Sequence, residues 1–222
     1  PSEAYSLLLQ VTMGCSHNKC TFCPTYRDKK FRIKSREEIL EDLAEASHYR
    51  RVRRVFLCDG DALIIPQPRL LDILASIRRS LPDTERVGTY ANAKSILRKS
   101  PEDLARLHAA GLKIVYLGVE TGNEELLKRI EKGATREQMI EAGRRVKKAG
   151  IGLSVTVLLG IGGIEKSLAH AFDTASILTE IDPDYVGALT VMVVPGTPLY
   201  EDYIGGRFVL PELEGLNPEN LV

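Results

Sequence analysis

Short apolar segments alternate with longer amphipathic segments six times along the chain, at a spacing of roughly 30 to 40 residues. Most of these apolar segments lack the polar alternation of a half-exposed strand, which is typical of parallel strands that helices cover on both faces. The six predicted strands cover residues 7–12, 52–58, 86–90, 114–120, 153–160 and 185–194. The pattern predicts an α/β fold in which right-handed crossovers join successive strands.

Chain length distinguishes between two architectures of this class. A complete eight-stranded barrel usually takes about 250 residues, whereas this chain has 222 residues. We therefore predict a partial (βα)6 TIM-type barrel with parallel strands, and a flat doubly wound sheet is the alternative. In either architecture, functional residues are expected where the strands end and the following loops begin.

Local signals mark several helix ends. Ser35 with Glu38 and Thr135 with Gln138 both fit the capping-box pattern, and Ser100 precedes a proline at a first helical position. The predicted helices include residues 69–80, 123–131 and 165–179. We expect one domain over residues 1–222, with a tail from about residue 195 that is rich in proline and glycine.

The strands and the apolar stripes of the helices are expected to form the core, with residues 186–194 among them. His48, His108 and His170 fall in predicted helices, and we interpret them as surface residues.

Charge and hydropathy exclude some classes of partner. The 30 basic and 30 acidic residues cancel, so there is no strong nucleic-acid signal. No apolar run reaches the roughly 20 residues that span a membrane, and no signal-peptide pattern is visible. A cytoplasmic location is therefore expected. The chain begins with Pro1 instead of Met, as expected for a processed chain or a fragment.

Three of the four cysteines fall within nine residues, directly after the first predicted strand. Cys15, Cys20 and Cys23 therefore lie at the expected functional edge. Clustered cysteines in a chain of this kind favour metal binding or redox chemistry over a disulfide scaffold. Thiolates are soft ligands that suit an iron–sulfur cluster, zinc or Cu(I). Three thiolates on a four-iron cluster leave one iron open for an external molecule.

The cysteines alone leave two alternatives open. A structural zinc site could take His17 as its fourth ligand, although the Cys15-x-His17 spacing is tight for tetrahedral zinc. A closed electron-transfer cluster could instead take Cys58, which ends the second predicted strand on the same edge. The simpler interpretation of Cys58 is a small buried hydrophobic residue.

The pattern Cys15-x4-Cys20-x2-Cys23, with Phe22 before the last cysteine, resembles the cluster motif of radical S-adenosylmethionine (SAM) enzymes. The usual spacing in that superfamily is Cys-x3-Cys-x2-Cys, so the first gap here has one additional residue. The resemblance extends along nearly the whole chain and implies a core domain like those of MiaB and coproporphyrinogen dehydrogenase. It also implies a [4Fe–4S] cluster held by the three cysteines, with SAM as the second cofactor.

The same resemblance implies SAM contacts at the ends of the second and third strands. Asp59, Gly60 and Asp61 stand where the family places a Gly-Gly-Glu-like turn near the amino group of SAM. Gly60 would let the backbone approach, and either aspartate could accept from the ammonium. An ordinary Asp-Gly turn is the plain alternative. Asn92, just past the third strand, could contact SAM or substrate.

Later strand ends complete the implied pocket. Glu120 ends the fourth strand in a stretch that resembles the family's ribose-binding segment, and a carboxylate can accept from both ribose hydroxyls. Lys132 matches a position where some members place a cation against the SAM carboxylate, but it could equally be a solvated helix end. Leu158 and Gly160, at the end of the fifth strand, are expected to pack against adenine, near Phe22.

The function that the resemblance implies is reductive cleavage of SAM to a 5′-deoxyadenosyl radical, which abstracts hydrogen from an unidentified small-molecule or other substrate. Such an enzyme is oxidoreductase-like and needs an electron donor such as flavodoxin or ferredoxin. The sequence shows neither a second cysteine cluster nor a cobalamin-binding motif, which favours simple hydrogen abstraction. The alternatives are a non-catalytic iron–sulfur electron-transfer protein and a zinc-stabilised binding module.

Overall fold

The computed structural model describes residues 3–49 and 51–211. Its main sheet contains six strands in the order β1, β4, β5, β6, β7 and β8, and every neighbouring pair is parallel. The strands are β1 (Leu7–Gln10), β4 (Arg54–Cys58), β5 (Arg86–Ala91), β6 (Leu112–Glu120), β7 (Gly152–Leu159) and β8 (Tyr185–Thr190).

 These six strands lie in the sheet in the same order in which they occur along the chain. Within the described residues, β8 does not pair with β1. The fold is therefore an α/β partial barrel, as the sequence predicts.

Helices connect the strands and cover the outer face of the sheet. They are α1 (Arg36–Ala46), α2 (Gln67–Ser80), α3 (Ala93–Leu97), α4 (Pro101–Ala109), α5 (Glu124–Arg129), α6 (Arg136–Lys148), α7 (Gly163–Ile181) and α8 (Pro198–Ile204). A short 3-10 helix, Ala62–Ile64, follows β4. The capping boxes at Ser35 and Thr135 are both present, and the Ser100 side chain accepts from the Asp103 amide. These helix starts follow the sequence signals because capping is a local interaction.

The main core lies between the outer face of the sheet and the helices. Alternate strand residues such as Val55, Leu57, Val115 and Val155 point into it and are completely buried. The opposite, concave face carries a small aromatic cluster, in which the rings of Phe56, Tyr90 and Tyr116 meet edge to face. The core therefore holds the strands in place from the outer face of the sheet, and the aromatic cluster lies on the opposite, concave face.

A second, two-stranded sheet was not predicted. It pairs β2 (Thr12–Met13) with β3 (Arg32–Ile33) in antiparallel orientation, with Thr12 opposite Ile33. The predicted first strand, 7–12, therefore ends at Gln10 in the main sheet, and the chain turns into this small hairpin. The hairpin closes the base of the loop that carries the three cysteines.

The sixth predicted strand is too long, and its assignment to the core is wrong for most of its residues, although Val191 is buried. The strand ends at Thr190, and residues of the 186–194 segment such as Val186, Leu189 and Met192 are 51%, 58% and 75% exposed. β8 pairs only with β7 among the described strands, so it is an edge strand and lacks a neighbour on its other side. Apolar sequence alone does not distinguish such a strand from a central one.

The surface assignment of His170 is also wrong, because this side chain is buried and only 6% exposed. Its Nδ1 lies 2.8 Å from the hydroxyl of Thr121, at the end of β6. His48 is exposed and His108 is intermediate in exposure.

The tail packs against the sheet as far as it is described. Leu199 of α8 and Phe208 are buried in a cluster with Leu158, Ile161 and Val191. Residues 212–222 of the predicted tail lie outside the described residues. The single-domain interpretation of residues 1–222 stays a prediction. Within the described residues, no helix combines the length and apolar character needed to cross a bilayer.

Candidate functional site

The predicted site residues meet at the carboxyl edge of the parallel sheet. The cysteine loop follows β1 and β2, Asp59 follows β4, Asn92 follows β5, and Glu120 ends β6. Because all six strands run in the same direction, these chain positions come together at one edge. The structure thus brings the sequence-predicted residues into one region, at the carboxyl edge of the sheet.

Two contacts with the β4 loop fix the start of the cysteine loop. The Gly14 amide donates to Asp59 Oδ2 over 2.9 Å, and the Gly60 amide donates to the Gly14 carbonyl over 3.3 Å. Gln10 Nε2 donates to both carboxylate oxygens of Asp59, at 3.1 and 3.2 Å. Asp59 therefore orders the entry to the cysteine loop while remaining partly exposed.

Backbone contacts hold the cysteine segment itself. The Cys23 amide donates to the Cys20 carbonyl over 3.2 Å, and the Thr21 amide donates to the carbonyl of Ile130 over 3.0 Å. Arg27 donates to the carbonyl oxygens of Cys23 and Cys20, at 3.0 and 2.8 Å. One exposed guanidinium thus joins the backbones of two of the three cysteines.

Cys15, Cys20 and Cys23 are free thiols of intermediate exposure. Burial raises the pKa of the Cys20 thiol to about 11, while Lys132 opposes that rise. Metal binding would therefore displace a proton from Cys20. In the described part of the chain, no three His, Cys, Asp or Glu side chains converge on a single ion. A [4Fe–4S] cluster needs no such convergence, because each thiolate binds a different iron; three free thiols on one loop fit that group.

His17 is engaged by the loop between α5 and α6. Its Nε2 lies 2.6 Å from the carbonyl oxygen of Glu131, so this nitrogen donates. The ring also covers Gly133, where an added Cβ would lie 2.4 Å from His17 Cε1. Only a glycine leaves room for this contact. His17 therefore fastens the cysteine loop to the segment that carries Lys132.

Cys58 lies on the concave face of the sheet, beside the aromatic cluster of Phe56 and Tyr116. Its Sγ is 3.7 Å from the carbonyl oxygen of Phe56, and burial raises the pKa of its thiol to about 11. Cys58 is thus packed mainly against apolar neighbours.

Gly60 is required by close packing against the cysteine loop. A Cβ at this position would lie 2.9 Å from Cys15 Cβ and 3.2 Å from the ring of Tyr26. The contact with Cys15 cannot relax easily, since Cβ is the first side-chain atom and moves only with the backbone. The glycine of the Asp59-Gly60-Asp61 turn therefore permits the approach of the two loops.

Asp61 is completely buried and serves as a shared acceptor. Its Oδ2 accepts from Ser16, Asn92 and Ser95, at 2.6, 2.7 and 2.5 Å, while Oδ1 has no partner among the described residues. Burial raises the pKa of this carboxyl, and the hydrogen bonds from Ser16 and Ser95 oppose the rise. Asp61 joins the cysteine loop, the β4 loop and the start of α3. Ser16 and Ser95 were not predicted as site residues, because serines so far apart in the sequence carry no local signal.

Glu120 and Lys132 form a nearly buried ion pair, with 2.7 Å between Oε1 and Nζ and side-chain exposures of 11% and 13%. Burial disfavours the charge on Lys132, but the carboxylate of Glu120 and the nearby Cys20 raise the pKa of the ammonium overall. Lys132 is therefore part of the site and not a solvated helix end. Glu120 has a φ of 65°, a left-handed conformation, beside a register shift between β6 and β7.

Gly118, which was not predicted as a site residue, makes room for this ion pair. A Cβ on Gly118 would lie 2.3 Å from Glu120 Oε1 and 2.9 Å from Lys132 Nζ. The only signal in the sequence is a glycine two residues before a strand-ending acid, which is too common to interpret alone.

An apolar wall lies on the other side of the cysteine loop. Leu158 is buried with Ile130 and Val191, and Phe22 packs against the same cluster. Gly160 turns the chain after β7 with a φ of 83°, and a Cβ there would lie 3.1 Å from Val191 Cγ1. The edge therefore combines thiols, carboxylates, one buried cation and an apolar surface, which suits a bound cofactor with both charged and apolar parts.

A partial barrel with three thiols on a loop at its carboxyl edge is typical of cofactor-dependent α/β proteins. The family model described as the radical SAM superfamily matches residues 9–175. The chain belongs to the radical SAM superfamily, as the cysteine motif predicted. Proteins of this superfamily use SAM and a [4Fe–4S] cluster.

Curated relatives extend the comparison over most of the chain. An uncharacterized methyltransferase of Pyrococcus horikoshii is 25% identical over 206 residues, which is 91% of this chain and 43% of the relative. A tRNA-2-methylthio-N(6)-dimethylallyladenosine synthase of Chlorobium phaeobacteroides is 28% identical over 208 residues, which is 88% of this chain and 44% of the relative. The chain thus spans less than half the length of these two relatives.

Solved structures confirm the fold. Coproporphyrinogen III oxidase from Escherichia coli, a radical SAM enzyme, matches 94% of this chain and 49% of its own, with a TM-score of 0.66 and 16% identity. The methyltransferase TsrM from Kitasatospora setae, solved with cobalamin and a [4Fe–4S] cluster, matches 87% of this chain and 38% of its own, with a TM-score of 0.67 and 18% identity. At these identities the likeness shows the fold alone.

Proposed function

We propose that Cys15, Cys20 and Cys23 hold a [4Fe–4S] cluster whose fourth iron is open to SAM, and that the protein is an oxidoreductase-like enzyme of the cytoplasm. The three cysteines would hold the cluster, and its bound, reduced form would supply the one electron needed for cleavage of SAM into methionine and a 5′-deoxyadenosyl radical, which would abstract hydrogen from a substrate. The observation that carries this proposal is the meeting of three free thiols with the Glu120–Lys132 pair at one sheet edge.

The charged groups at this edge support an assignment of the polar parts of SAM. Asp59 is partly exposed and presents a carboxylate beside Gly60, so it suits the SAM ammonium better than the buried Asp61 does. Asp61 then acts as a positioning residue that holds Ser16, next to Cys15. The side-chain amide of Asn92 donates to Asp61 and to Ser16. We assign Asn92 a contact with SAM or substrate, beside the cysteine loop.

Glu120 and Lys132 are assigned to the ribose and carboxylate of SAM, respectively. The two side chains neutralise each other in a nearly buried place, so neither is an uncompensated buried charge before SAM binds. Phe22, Leu158 and Gly160 supply the apolar wall for adenine. Together these residues orient SAM and exclude water on one side of the cluster.

The substrate is assigned to the concave face above the aromatic cluster. Tyr90 is 50% exposed there, and Tyr116 and Cys58 lie beside it. This face adjoins the cysteine loop, so a hydrogen abstracted from a molecule bound on it has a short path to the SAM site.

The test is anaerobic purification, reconstitution with iron and sulfide, and addition of dithionite and SAM. We expect 5′-deoxyadenosine and methionine in equal amounts. Cys20→Ala should abolish both products, whereas the matched variant Cys58→Ala should retain them. Zinc without sulfide, or a cluster that requires Cys58 and leaves SAM intact, would refute the proposal and favour one of the non-catalytic alternatives.

A further inference from the structure

A groove of about 760 Å³ opens beside the cysteine loop. Its walls come from that loop, from α3 and the residue before it, from α5, and from the first turn of α6 with the loop that precedes it. Of the residues assigned to the cluster or to SAM, only Asn92 lines the groove. Its volume lies in the range of small-molecule sites. The groove, which we call the α3 groove, is therefore largely separate from the SAM site.

Positive charge predominates in the α3 groove. Four basic and two acidic residues line it, which leaves a net charge of +2. Lys19 reaches it from the cysteine loop, and Lys94 and Arg98 reach it from α3 and the position directly after α3. These three side chains are exposed and form no ion pair within residues 3–49 and 51–211. The groove therefore offers three cations to an anionic ligand.

The remaining charged residues do not cancel this excess. Lys128 pairs with Glu124 over 3.3 Å, and Glu124 also accepts from the Arg136 amide over 2.8 Å. Glu131, the second acid in the lining, stands against three unpaired cations. The buried carboxylate of Asp61 lies behind the groove wall, where three donors from the wall already bind it.

The spacing of the two α3 cations also indicates a ligand. Lys94 and Arg98 are four residues apart, a separation that places side chains on the same side of a helix. The carboxyl end of a helix attracts a cation, but two like charges at this spacing repel each other. An anion bound in the α3 groove would relieve that repulsion.

The amino end of α6 also lines the groove, but its backbone donors are already capped. The Thr135 side chain accepts from the Gln138 amide over 3.2 Å, and the Gln138 side chain accepts from the Thr135 amide over 3.0 Å. The anion site is therefore assigned to the three cations and not to this helix end.

One part of the α3 groove is apolar. Phe31, Ile64 and Leu127 belong to the same lining as the cations. Phe31 is partly exposed, so its ring is available to a ligand. Aromatic rings bind planar groups such as nucleobases by stacking, without selecting one base. A ligand with an anionic group and a planar body therefore fits both parts of the groove.

We propose that the α3 groove binds an organic phosphate, with its phosphate groups against Lys19, Lys94 and Arg98 and its planar body against Phe31. A carboxylate carries one negative charge, whereas a phosphate ester carries nearly two, which suits several unpaired cations better. The guanidinium of Arg98 matches phosphate oxygens with a planar fork of donors.

This site goes beyond the proposed function, since cleavage of SAM does not require it. Ser16 and Lys19 line the groove and are the direct neighbours of Cys15 and Cys20. A phosphate-bearing ligand in the groove therefore lies against the cysteine loop.

The experiment measures binding of uridine 5′-diphosphate and of inorganic pyrophosphate to the reconstituted protein by isothermal titration calorimetry, with and without SAM. Uridine is chosen because its base differs from the adenine of SAM. The test variant is Lys94→Glu/Arg98→Glu. The matched control is Arg106→Glu/Lys148→Glu, which makes the same change of charge at exposed positions of α4 and α6 that do not line the groove.

We expect both probes to bind the wild type, and SAM to leave their affinities within about twofold. The test variant should bind both probes roughly tenfold or more weakly, because two attractive charges become repulsive. The control variant should stay within about twofold of the wild type. Added salt should weaken binding to the wild type.

Two further variants separate folding and the planar body from the effect of charge. Lys94→Gln/Arg98→Gln removes the charges without adding repulsion, and it should weaken both probes by a smaller factor than the glutamate variant. Phe31→Ala should weaken uridine 5′-diphosphate about fivefold or more and leave pyrophosphate unchanged, because only the nucleotide has a base to stack.

The proposal would be overturned if neither probe bound at millimolar concentration, or if the test and control variants lost affinity equally. Displacement of both probes by SAM would overturn it as well, since the groove would then be part of the SAM site. Binding of a single-stranded RNA by a protein that binds neither small probe would also contradict it. Because binding is measured without a reductant, a protein that binds the probes but leaves SAM intact would refute only the proposed function.

Discussion

At the scale of single residues, the site depends on Glu120 and on the space that surrounds it. Glu120 ends β6 in a left-handed conformation, which directs its carboxylate back towards Gly118 and onto Lys132. A non-glycine residue adopts that conformation only where its surroundings hold it there. The ion pair and the open space over Gly118 are therefore parts of one arrangement.

Gly118→Ala should displace the ion pair, because its Cβ would lie 2.3 Å from Glu120 Oε1. We expect roughly a tenfold or larger weakening of SAM binding to the reconstituted protein, measured by equilibrium dialysis, if the lost contacts are worth about 1.4 kcal/mol or more. Gly187→Ala is the matched control, since no atom lies closer than 4.0 Å to its added Cβ. Equal affinity in the two variants would contradict the role of Gly118.

His170 is a buried titratable residue directly behind the end of β6, bonded to Thr121. Burial lowers the pKa of His170 from its ordinary value of 6.5, while the Leu158 backbone and Asp173 oppose that shift. The unfolded chain then binds a proton more readily than the folded one. The contribution of neutral, buried His170 to the free energy of unfolding is therefore complete above about pH 6.5. It is lost as the pH falls from there towards the lower pKa of His170 in the folded protein.

We expect the melting temperature of the wild type to fall as pH is lowered from 7 to about 5, with part of that fall removed in His170→Gln. Differential scanning calorimetry over this pH range measures the effect. His48→Gln, at an exposed position, should leave the pH profile unchanged. Identical profiles for wild type and His170→Gln would show that His170 contributes nothing to the dependence.

At the scale of elements, the cysteine loop has little regular structure and is held from three sides. The β2–β3 hairpin closes its base, Asp59 and Asp61 bind it to the β4 loop, and His17 fastens it to the α5–α6 loop. These contacts pre-order the three thiols, so the cost of ordering them on cluster binding is reduced.

Asp61→Ala should release the loop, because three donors that share Asp61 Oδ2 lose their acceptor. We expect a destabilisation of about 1–3 kcal/mol for each buried donor left unpaired, with partial relief where water enters. Denaturant unfolding measures that loss, and hydrogen exchange should show faster exchange at residues 14–23. Asp83→Ala, at an exposed position, is the control. Unchanged exchange of the loop in Asp61→Ala would contradict the anchoring role.

The sequence was informative about these elements where the interactions are local. Ser35, Ser100 and Thr135 cap helices as predicted, since each contact spans three residues. The hairpin of Thr12 and Ile33 escaped prediction because two-residue strands gain their stability from a partner about 20 residues away. The same reason hid the acceptor role of Asp61, whose donors come from two different loops.

At the scale of the whole molecule, the sheet formed by the described residues is open at β8 and carries the candidate cofactor-binding residues along its carboxyl edge. The six-unit count predicted the topology, and the cysteine motif predicted the superfamily to which the chain belongs. The sequence did not indicate that β8 is an edge strand, because its exposed residues Val186 and Leu189 are of the same apolar types as residues in a buried strand. A strand lies at an edge when only one other strand pairs with it, and the apolar character of its residues does not determine how many strands pair with it.

The most direct test of the central claim is the electron paramagnetic resonance spectrum of the reduced, reconstituted protein with and without SAM, alongside its iron, sulfide and zinc content. We predict about four irons and four sulfides per chain, as the [4Fe–4S] assignment requires, and a signal that SAM shifts because SAM binds the open iron. Stoichiometric zinc without sulfide would contradict the claim, and so would a cluster signal that SAM leaves unchanged and that Cys58→Ala abolishes.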